Sequence, residues 1–178
     1  DQVQMVERHI HAQENLTLLV NNAGFGGYAP LLESDVNKMD EMIQLNVTAL
    51  TRLTYAAVPS LVARGRGAII NIASIVAIAP EILNGVYGAS KAYVQALSYS
   101  LHHELKDKGI QIQAVLPGAT ATEFWTAAGL PVEHLTSEIV MNAEDIVNAA
   151  LVGFDRGELI TIPSLHDLAE WEKFESAR

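Results

Sequence analysis

Tyr87 and Lys91 stand four residues apart in the stretch Tyr87-Gly88-Ala89-Ser90-Lys91. On a helix this spacing puts both side chains on one face, one turn apart. A phenol, with a pKa of about 10, is a poor proton donor and a worse base at neutral pH. An ammonium held close favours the phenolate and draws that pKa down towards the working range. The pair is therefore a means of making an acid/base that operates near neutrality. The spacing is unique in the chain: the residues four after Tyr28, Tyr55, Tyr93 and Tyr99 are Leu32, Pro59, Leu97 and His103.

Other polar residues stand where such chemistry would need them. Residues 68–73 form a continuous apolar run broken only by Asn71, and Ser74 follows at its carboxyl end. Ligands of open α/β sheets bind outside the carboxyl ends of the strands, so Ser74 is placed like a site residue; a turn or helix cap fits it too. The apolar run 16–20 ends in Asn21-Asn22-Ala23-Gly24. Small residues there let a ligand approach the backbone, and the amides can tie neighbouring strand ends together. A plain strand-to-loop turn fits the same residues. Asn46 interrupts an apolar helical stretch, where a buried amide needs partners; an adjacent loop is the simplest of them. Pro117-Gly118 closes the run 110–116, and Gly118 permits another close approach.

The elements that must position these residues alternate. Helix is expected over 2–14, with Val3, Val6 and Ile10 on one stripe, and strand over 16–20. A long helix follows over 35–62, with Ser34 as N-cap, a kink at Pro59 and Gly65 as the stop. Its stripe runs through Val36, Met39, Ile43, Val47, Leu50, Thr54, Ala57 and Leu61. After the strand 68–73, the helix carrying Tyr87 continues to about residue 108, with Ala89, Tyr93, Leu97, Leu101 and Leu105 as its apolar spine and Gly109 closing it. The strand 110–116 leads into a mixed stretch, 120–140, containing Phe124, Trp125, Leu130 and Leu135. It is longer than most such connections and reads as a lid over a site. A helix capped by Asn142 to about residue 154, a strand over 157–162 and a helix over 165–175 complete the chain. Continuous apolar strands alternating with helices predict a parallel sheet covered on both faces, with right-handed crossovers throughout.

Bulk composition narrows the function. The chain has 178 residues, one domain's length, and is 49% hydrophobic, enough to bury a core. A net charge of −10 argues against binding a phosphate backbone. No cysteine is present, which excludes disulfides and thiolate chemistry and accords with a reducing, cytoplasmic setting. The N-terminal residues lack the pattern of a signal peptide, and the longest apolar run, Ala68 to Pro80, is too short to span a bilayer. No metal site is expected: His102-His103-Glu104 lies on a helix, where adjacent positions diverge. No Gly-x-Ser-x-Gly elbow is present, which argues against that type of serine hydrolase.

The ordered set Asn21-Asn22-Ala23-Gly24, Asn46, Ser74, Tyr87, Lys91 and Pro117-Gly118 with Thr122 resembles the short-chain dehydrogenase/reductase family, including the thirteen residues between Ser74 and Tyr87. The resemblance implies a doubly wound, Rossmann-like three-layer α/β/α fold. It implies an oxidoreductase that interconverts a carbonyl and an alcohol with NAD(P)(H), NADP(H) being favoured on family grounds. Tyr87 would exchange a proton with the substrate oxygen, Lys91 would lower its pKa and bond the cofactor ribose, and Ser74 would hydrogen-bond the substrate oxygen. Asn46 would hold a water linking Lys91 to solvent. Asn22, Ala23 and Gly24 would pack near the adenosine-side ribose, and Pro117, Gly118 and Thr122 would face the nicotinamide. The substrate would be a small carbonyl or alcohol compound, fairly apolar given the lid.

The family's N-terminal βαβ unit with its glycine-rich phosphate loop is not found here. The first strand of this chain matches the family's fourth, so the expected fold is N-terminally incomplete, the C-terminal two-thirds of the family's domain over 1–178. Gly24-x-Gly26-Gly27 does not replace the loop, because the third-glycine spacing is missing. This departure motivates an alternative, a non-catalytic or truncated member that acts by binding. Extended relatives that epimerise nucleotide sugars share Tyr-x-x-x-Lys but usually carry a larger domain after it. The resemblance also implies a homodimer or homotetramer paired through the helices at 35–62 and 87–108, with Tyr55, Tyr99 and Leu101 as apolar surface.

Overall fold

The computed structural model describes residues 2–128, 137–165 and 167–177. In chain order the elements are α1 (Gln2–His11), β1 (Leu18–Asn21), α2 (Val36–Ile43), α3 (Leu50–Arg64), β2 (Gly67–Ile72), α4 (Gly85–Leu105), β3 (Ile110–Val115), β4 (Ala119–Thr120), α5 (Phe124–Ala128), β5 (Val140–Met141), α6 (Ala143–Asp155), β6 (Ile160–Thr161) and α7 (Leu168–Ser176). Strands β1, β2, β3 and β6 pair in that order, all parallel. The short pair β4 and β5 stands apart, and the lid residues Leu130 and Leu135 lie outside the described residues.

Alternation along β3 assigns the two faces of the sheet. Ile110 and Ile112 pack with Ala57 and Leu61 of α3 and with Leu101 and Leu105 of α4. Fully burying each such leucine or isoleucine contributes roughly 1.5–3 kcal/mol. Gln111 and Gln113 point the other way and donate to the carbonyls of Phe154 and Ala150 on α6, at 2.6 and 2.9 Å. Helices therefore cover both faces in three layers, as expected. The handedness expectation fails in one place. The steps β1 to β2, β2 to β3 and β3 to β6 all run in the same direction across the sheet. The first two connections cross on the α3/α4 face and the third on the α6 face, so its hand is opposite to theirs.

The long helical rod starts at Val36 and its N-cap is Asp35, not Ser34: the Asp35 carboxylate accepts from the Asn37 N–H, as an N-cap should. It runs unbroken through Pro59 to Arg64 and stops at Gly65 in the left-handed region (φ +65°). Between α2 and α3 it widens into a π-helical segment, Gln44–Ala49, that contains Asn46. Insertions of this kind accompany functional sites. Arg52 of α3 pairs with Glu7 of α1 through two contacts of 2.6 and 2.7 Å, fastening α1 to the rod.

The buried side of α4 differs from the expected spine. Ala89 and Tyr93 are exposed, while Tyr87, Ser90, Lys91, Val94 and Ser98 are buried with Leu101 and Leu105. Ser98 is there because the strands carry amides that need partners. Asn21 Nδ2 donates to Asn71 Oδ1 at 2.8 Å and to Thr54 Oγ1 at 3.1 Å, and Asn71 Nδ2 donates to Ser98 Oγ at 2.9 Å. This chain ties β1 to β2 and both to α3 and α4, satisfying groups that would otherwise be costly to bury.

The expected oligomer surface is corrected as well. Leu101 is only 8% exposed and belongs to the core. Tyr99 packs in the cluster containing Trp171 of α7 and donates to Glu175 Oε1 at 2.6 Å. Tyr55 alone of the three is open, at 71%. Among the described residues no helix is long and apolar enough to cross a membrane, and no three His, Asp or Glu side chains cluster as metal ligands do.

Candidate active site

A cavity of about 410 Å³ opens beyond the carboxyl ends of β2 and β3, beside α5 and α6. Asn22, Gly24, Ser74, Tyr87, Lys91, Pro117, Gly118 and Thr122 all line it. Eight of the expected site residues thus come together from four separate stretches of chain. Ala23 does not; it faces another hollow with Val3, Val6 and Leu45. Asn46 also stays out of the cavity, 2% exposed behind Gly24.

Tyr87 is fixed by the start of α4. Asn84 caps the helix, its Oδ1 accepting from the Val86 and Tyr87 N–H groups at 3.0 and 3.3 Å. Its Nδ2 donates to the Ala29 carbonyl at 2.7 Å, tying the loop after β1 to the same turn. The Tyr87 ring packs with Met42 and Val76, and Phe124 of α5 lies against it, ring centroids 5.8 Å apart. Asn84 is absent from the residues expected at the site. An Asn ahead of a helical run is the usual N-cap signal and would have found it.

Ser74 follows β2 and caps a short turn, its Oγ accepting from the Val76 N–H at 3.4 Å. The cap reading of Ser74 describes what its oxygen does, and the residue also borders the cavity. Its own donation, to the Pro117 carbonyl, is long at 3.5 Å. A hydroxyl held this weakly is readily turned to a better acceptor. Ser74 also stands close enough to the Tyr87 hydroxyl to favour its charged form, against the effect of burial.

The electrostatics reverse one expectation. Burial raises the Tyr87 phenol above its ordinary pKa, and Ser74 only partly opposes this. Lys91 lies 5.9 Å from the centre of the Tyr87 ring and does not pull the phenol down. Desolvation instead lowers Lys91 itself, to about 8. Its Nζ donates to the Ile72 carbonyl at 2.9 Å and is 6% exposed as a residue.

This burial predicts a pH-dependent stability difference between the protein and its Lys91→Met variant. Below pH 8 the amine is charged in both folded and unfolded states, and the folded state carries the full cost of burying it. Between about 8 and the ordinary lysine value of 10.5 the folded state releases its proton first, so stability rises with pH. The advantage of the Lys91→Met variant is therefore largest at neutral pH and shrinks through that window. Thermal unfolding of both proteins from pH 7 to 10.5 measures it; a constant difference would show that Lys91 is not desolvated.

Asn46 reaches the site through its neighbours. Its Nδ2 donates to the Phe25 carbonyl and to Ser90 Oγ, and its Oδ1 accepts from the Phe25 N–H, at 2.9, 3.1 and 3.1 Å. Both amide hydrogens are thus used, and the adjacent-loop reading of this residue describes what the side chain does. Ser90, which also donates to the Tyr87 carbonyl at 2.7 Å, joins Asn46 to α4. A small polar residue on a helix has the appearance of surface, so Ser90 carries no signal in the sequence. A methyl on Gly24 would stand 2.9 Å from Asn46 Oδ1 and 3.5 Å from Lys91 Nζ. Only a bare backbone fits between them, and that bare backbone borders the cavity.

Known proteins are similar to this chain over different lengths. Sulfoacetaldehyde reductase 2 of Chromohalobacter salexigens is 41% identical over 109 residues, which are 60% of this chain and 43% of that protein. The chain spans less than half the length of the curated relatives it matches. Among solved structures, a short-chain dehydrogenase from Sphingobium yanoikuyae in complex with NADPH is similar over 99% of this chain and 68% of its own, with a TM-score of 0.94 and 45% identity. The bulky-bulky ketone specific alcohol dehydrogenase from Comamonas testosteroni is similar over 99% and 66%, with a TM-score of 0.87 and 39% identity. A family model described as short chain dehydrogenase matches residues 1–131. That match takes in the sheet from β1 to β3 and both partners of the Tyr87–Lys91 pair, and by it the chain belongs to the short-chain dehydrogenase family.

Proposed function

We propose that this protein is an NAD(P)(H)-dependent oxidoreductase that interconverts a neutral, apolar ketone and its alcohol. The observation that carries the reading is the convergence of Ser74, Tyr87 and Lys91 on one cavity floored by bare backbone at Gly24 and Gly118. These residues fit a nicotinamide dinucleotide. Lys91, a buried amine bordering the cavity, would bond ribose hydroxyls. Asn22 and Gly24 would border the adenosine side, and Pro117, Gly118 and Thr122 the nicotinamide. When bound, the cofactor supplies or accepts the hydride.

The chain's own residues handle the proton and the charge. Burial keeps the Tyr87 phenol protonated at neutral pH, ready to donate to a carbonyl oxygen that gains negative charge. Ser74, weakly held by Pro117, turns its hydroxyl to the same oxygen and stabilises it. Asn46 keeps the loop at Phe25 against α4 and so keeps Gly24 beside Lys91. Among the described lining residues Lys91 is the only charged side chain, and Ile75, Val76, Leu83, Phe124, Trp125 and Ile146 supply apolar wall. A carboxylate or phosphate on the substrate would find no other cation there, which favours a neutral ketone.

The test is oxidation of NADPH and of NADH, followed by absorbance, with a panel of straight-chain and aryl ketones. Turnover is expected, with NADPH preferred; support for that preference comes from the NADPH complex of the 45%-identical structure. Failure of every ketone with both cofactors would overturn the reading.

A further inference from the structure

Among the described residues, Phe124 meets the loop after β1 at a point that has no slack. The tip of the Phe124 ring rests on the backbone of Gly26, in the loop after β1. A methyl on Gly26 would stand 2.5 Å from Phe124 Cζ and 3.1 and 3.3 Å from its two Cε atoms. Those are the three nearest atoms, so the ring occupies the place of the missing side chain. Gly26 has no positive φ, so its backbone does not require glycine. The absence of a side chain is explained by the ring.

Phe124 in turn lies against Tyr87 at 5.8 Å and edge-on to Trp125 at 5.6 Å, interplanar angle 85°. Trp125 is anchored by its indole N–H, which donates to the Thr120 carbonyl at 2.9 Å. Both aromatic side chains line the cavity. The ring next to the proton donor is therefore held from two sides, by Gly26 at its tip and by the anchored Trp125 beside it.

We propose that Phe124 is the size-determining wall of the substrate cavity and that Gly26 is the positioning residue that fixes where this wall stands. The proposal rests on the ketone/alcohol reading above and adds its specificity determinant. The ring limits how large a ketone substituent can lie beside Tyr87. Gly26 acts only through the ring, because a side chain there pushes Phe124 off its rest.

The test is a cycle of variants on the complete enzyme: Gly26→Ala, Phe124→Ala and both together, with kcat and KM measured for ketones graded in size from butan-2-one to aryl alkyl ketones. Phe124→Ala is expected to raise the kcat/KM ratio of the largest over the smallest ketone by about 10-fold or more, mainly through KM. Gly26→Ala alone shifts the ratio in the same direction. Added to Phe124→Ala it changes the ratio by less than about 2-fold, since the ring it would displace is gone. If Gly26→Ala does not fold alone, the double variant is expected to recover a cooperative thermal transition. Additive effects, a ratio that ignores substrate size, or a double variant that fails to fold would each overturn the couple while the enzyme still turns over ketones. Absence of turnover in the unmodified enzyme would instead overturn the oxidoreductase reading, and the couple with it.

Discussion

Tyr87→Phe is expected to abolish turnover, lowering kcat by about a thousandfold or more, the scale of a lost general acid, while leaving the fold intact. The substitution removes one oxygen and nothing else. The ring keeps its packing with Met42 and Val76 and its contact with Phe124 at 5.8 Å. Its backbone stays capped by Asn84 and bonded to Ser90. Ser74 loses the Tyr87 hydroxyl but retains the Val76 N–H and the Pro117 carbonyl. Lys91 is untouched, its Nζ on the Ile72 carbonyl, so affinity for the cofactor should change little. Steady-state rates, a thermal unfolding curve and a fluorescence titration with NADPH separate these effects. Turnover near that of the unmodified enzyme would remove Tyr87 from the proton path. A loss of cofactor binding equal to the loss of rate would mean that the phenol binds and does not catalyse.

The candidate site is legible in the sequence where one rule covers the position of each residue. Tyr87 and Lys91 share a helix face by spacing, Ser74 and Pro117-Gly118 follow apolar runs, and Asn21 ends another. Strand ends of a parallel sheet meet in space, so those residues had to be neighbours. The amide tie between Asn21 and Asn71 follows from the same argument. What is illegible depends on tertiary partners. The π-helical segment at Gln44–Ala49 leaves no trace in a 3.6-residue pattern. Ser90 and Ser98 are small and polar, and only the amides opposite them explain their burial. Tyr99 passes for outward apolar surface until α7 is in place, and Leu101, which its place on the apolar spine already turns inward, packs against β3. The opposite hand of the β3–α6–β6 connection reflects which face α6 covers, which the order of elements does not encode. The direction of the Tyr87 shift is misjudged from sequence because spacing locates Lys91 one turn away but says nothing of burial, which dominates both groups.

Gly88, inside the Tyr87–Lys91 stretch, shows how a tertiary contact can invert a local rule. Alanine exceeds glycine in helix propensity by about 1 kcal/mol, so Gly88→Ala in the interior of α4 should stabilise by that rule. The structure predicts the reverse. A methyl on Gly88 would meet Pro80 O at 2.3 Å, its Cα at 2.8 Å and its C at 2.9 Å. These are backbone atoms of the turn Pro80–Ile82, which cannot rotate away as a side chain tip can. The turn or the helix must shift by about an ångström, and overpacking of this kind costs about 1–3 kcal/mol or more, enough to outweigh the propensity gain. The damage reaches the chemistry as well, because Pro80 lies on the segment joining Ser74 to Asn84, and Gly88 is next to Tyr87. Separating the two hydroxyls by even part of that shift should reduce kcat at least about 10-fold. Gly85→Ala supplies the control within the same helix. Gly85 is its first residue, has no positive φ, and nothing stands within 4 Å of an added methyl. There alanine is expected to be neutral or stabilising by about 0.5 kcal/mol. Urea unfolding of the two variants beside the parent reads the contrast directly. Stabilisation of similar size at both positions would show that α4 and the Pro80 turn are not packed backbone to backbone, and that Gly88 has no part in holding Tyr87 near Ser74.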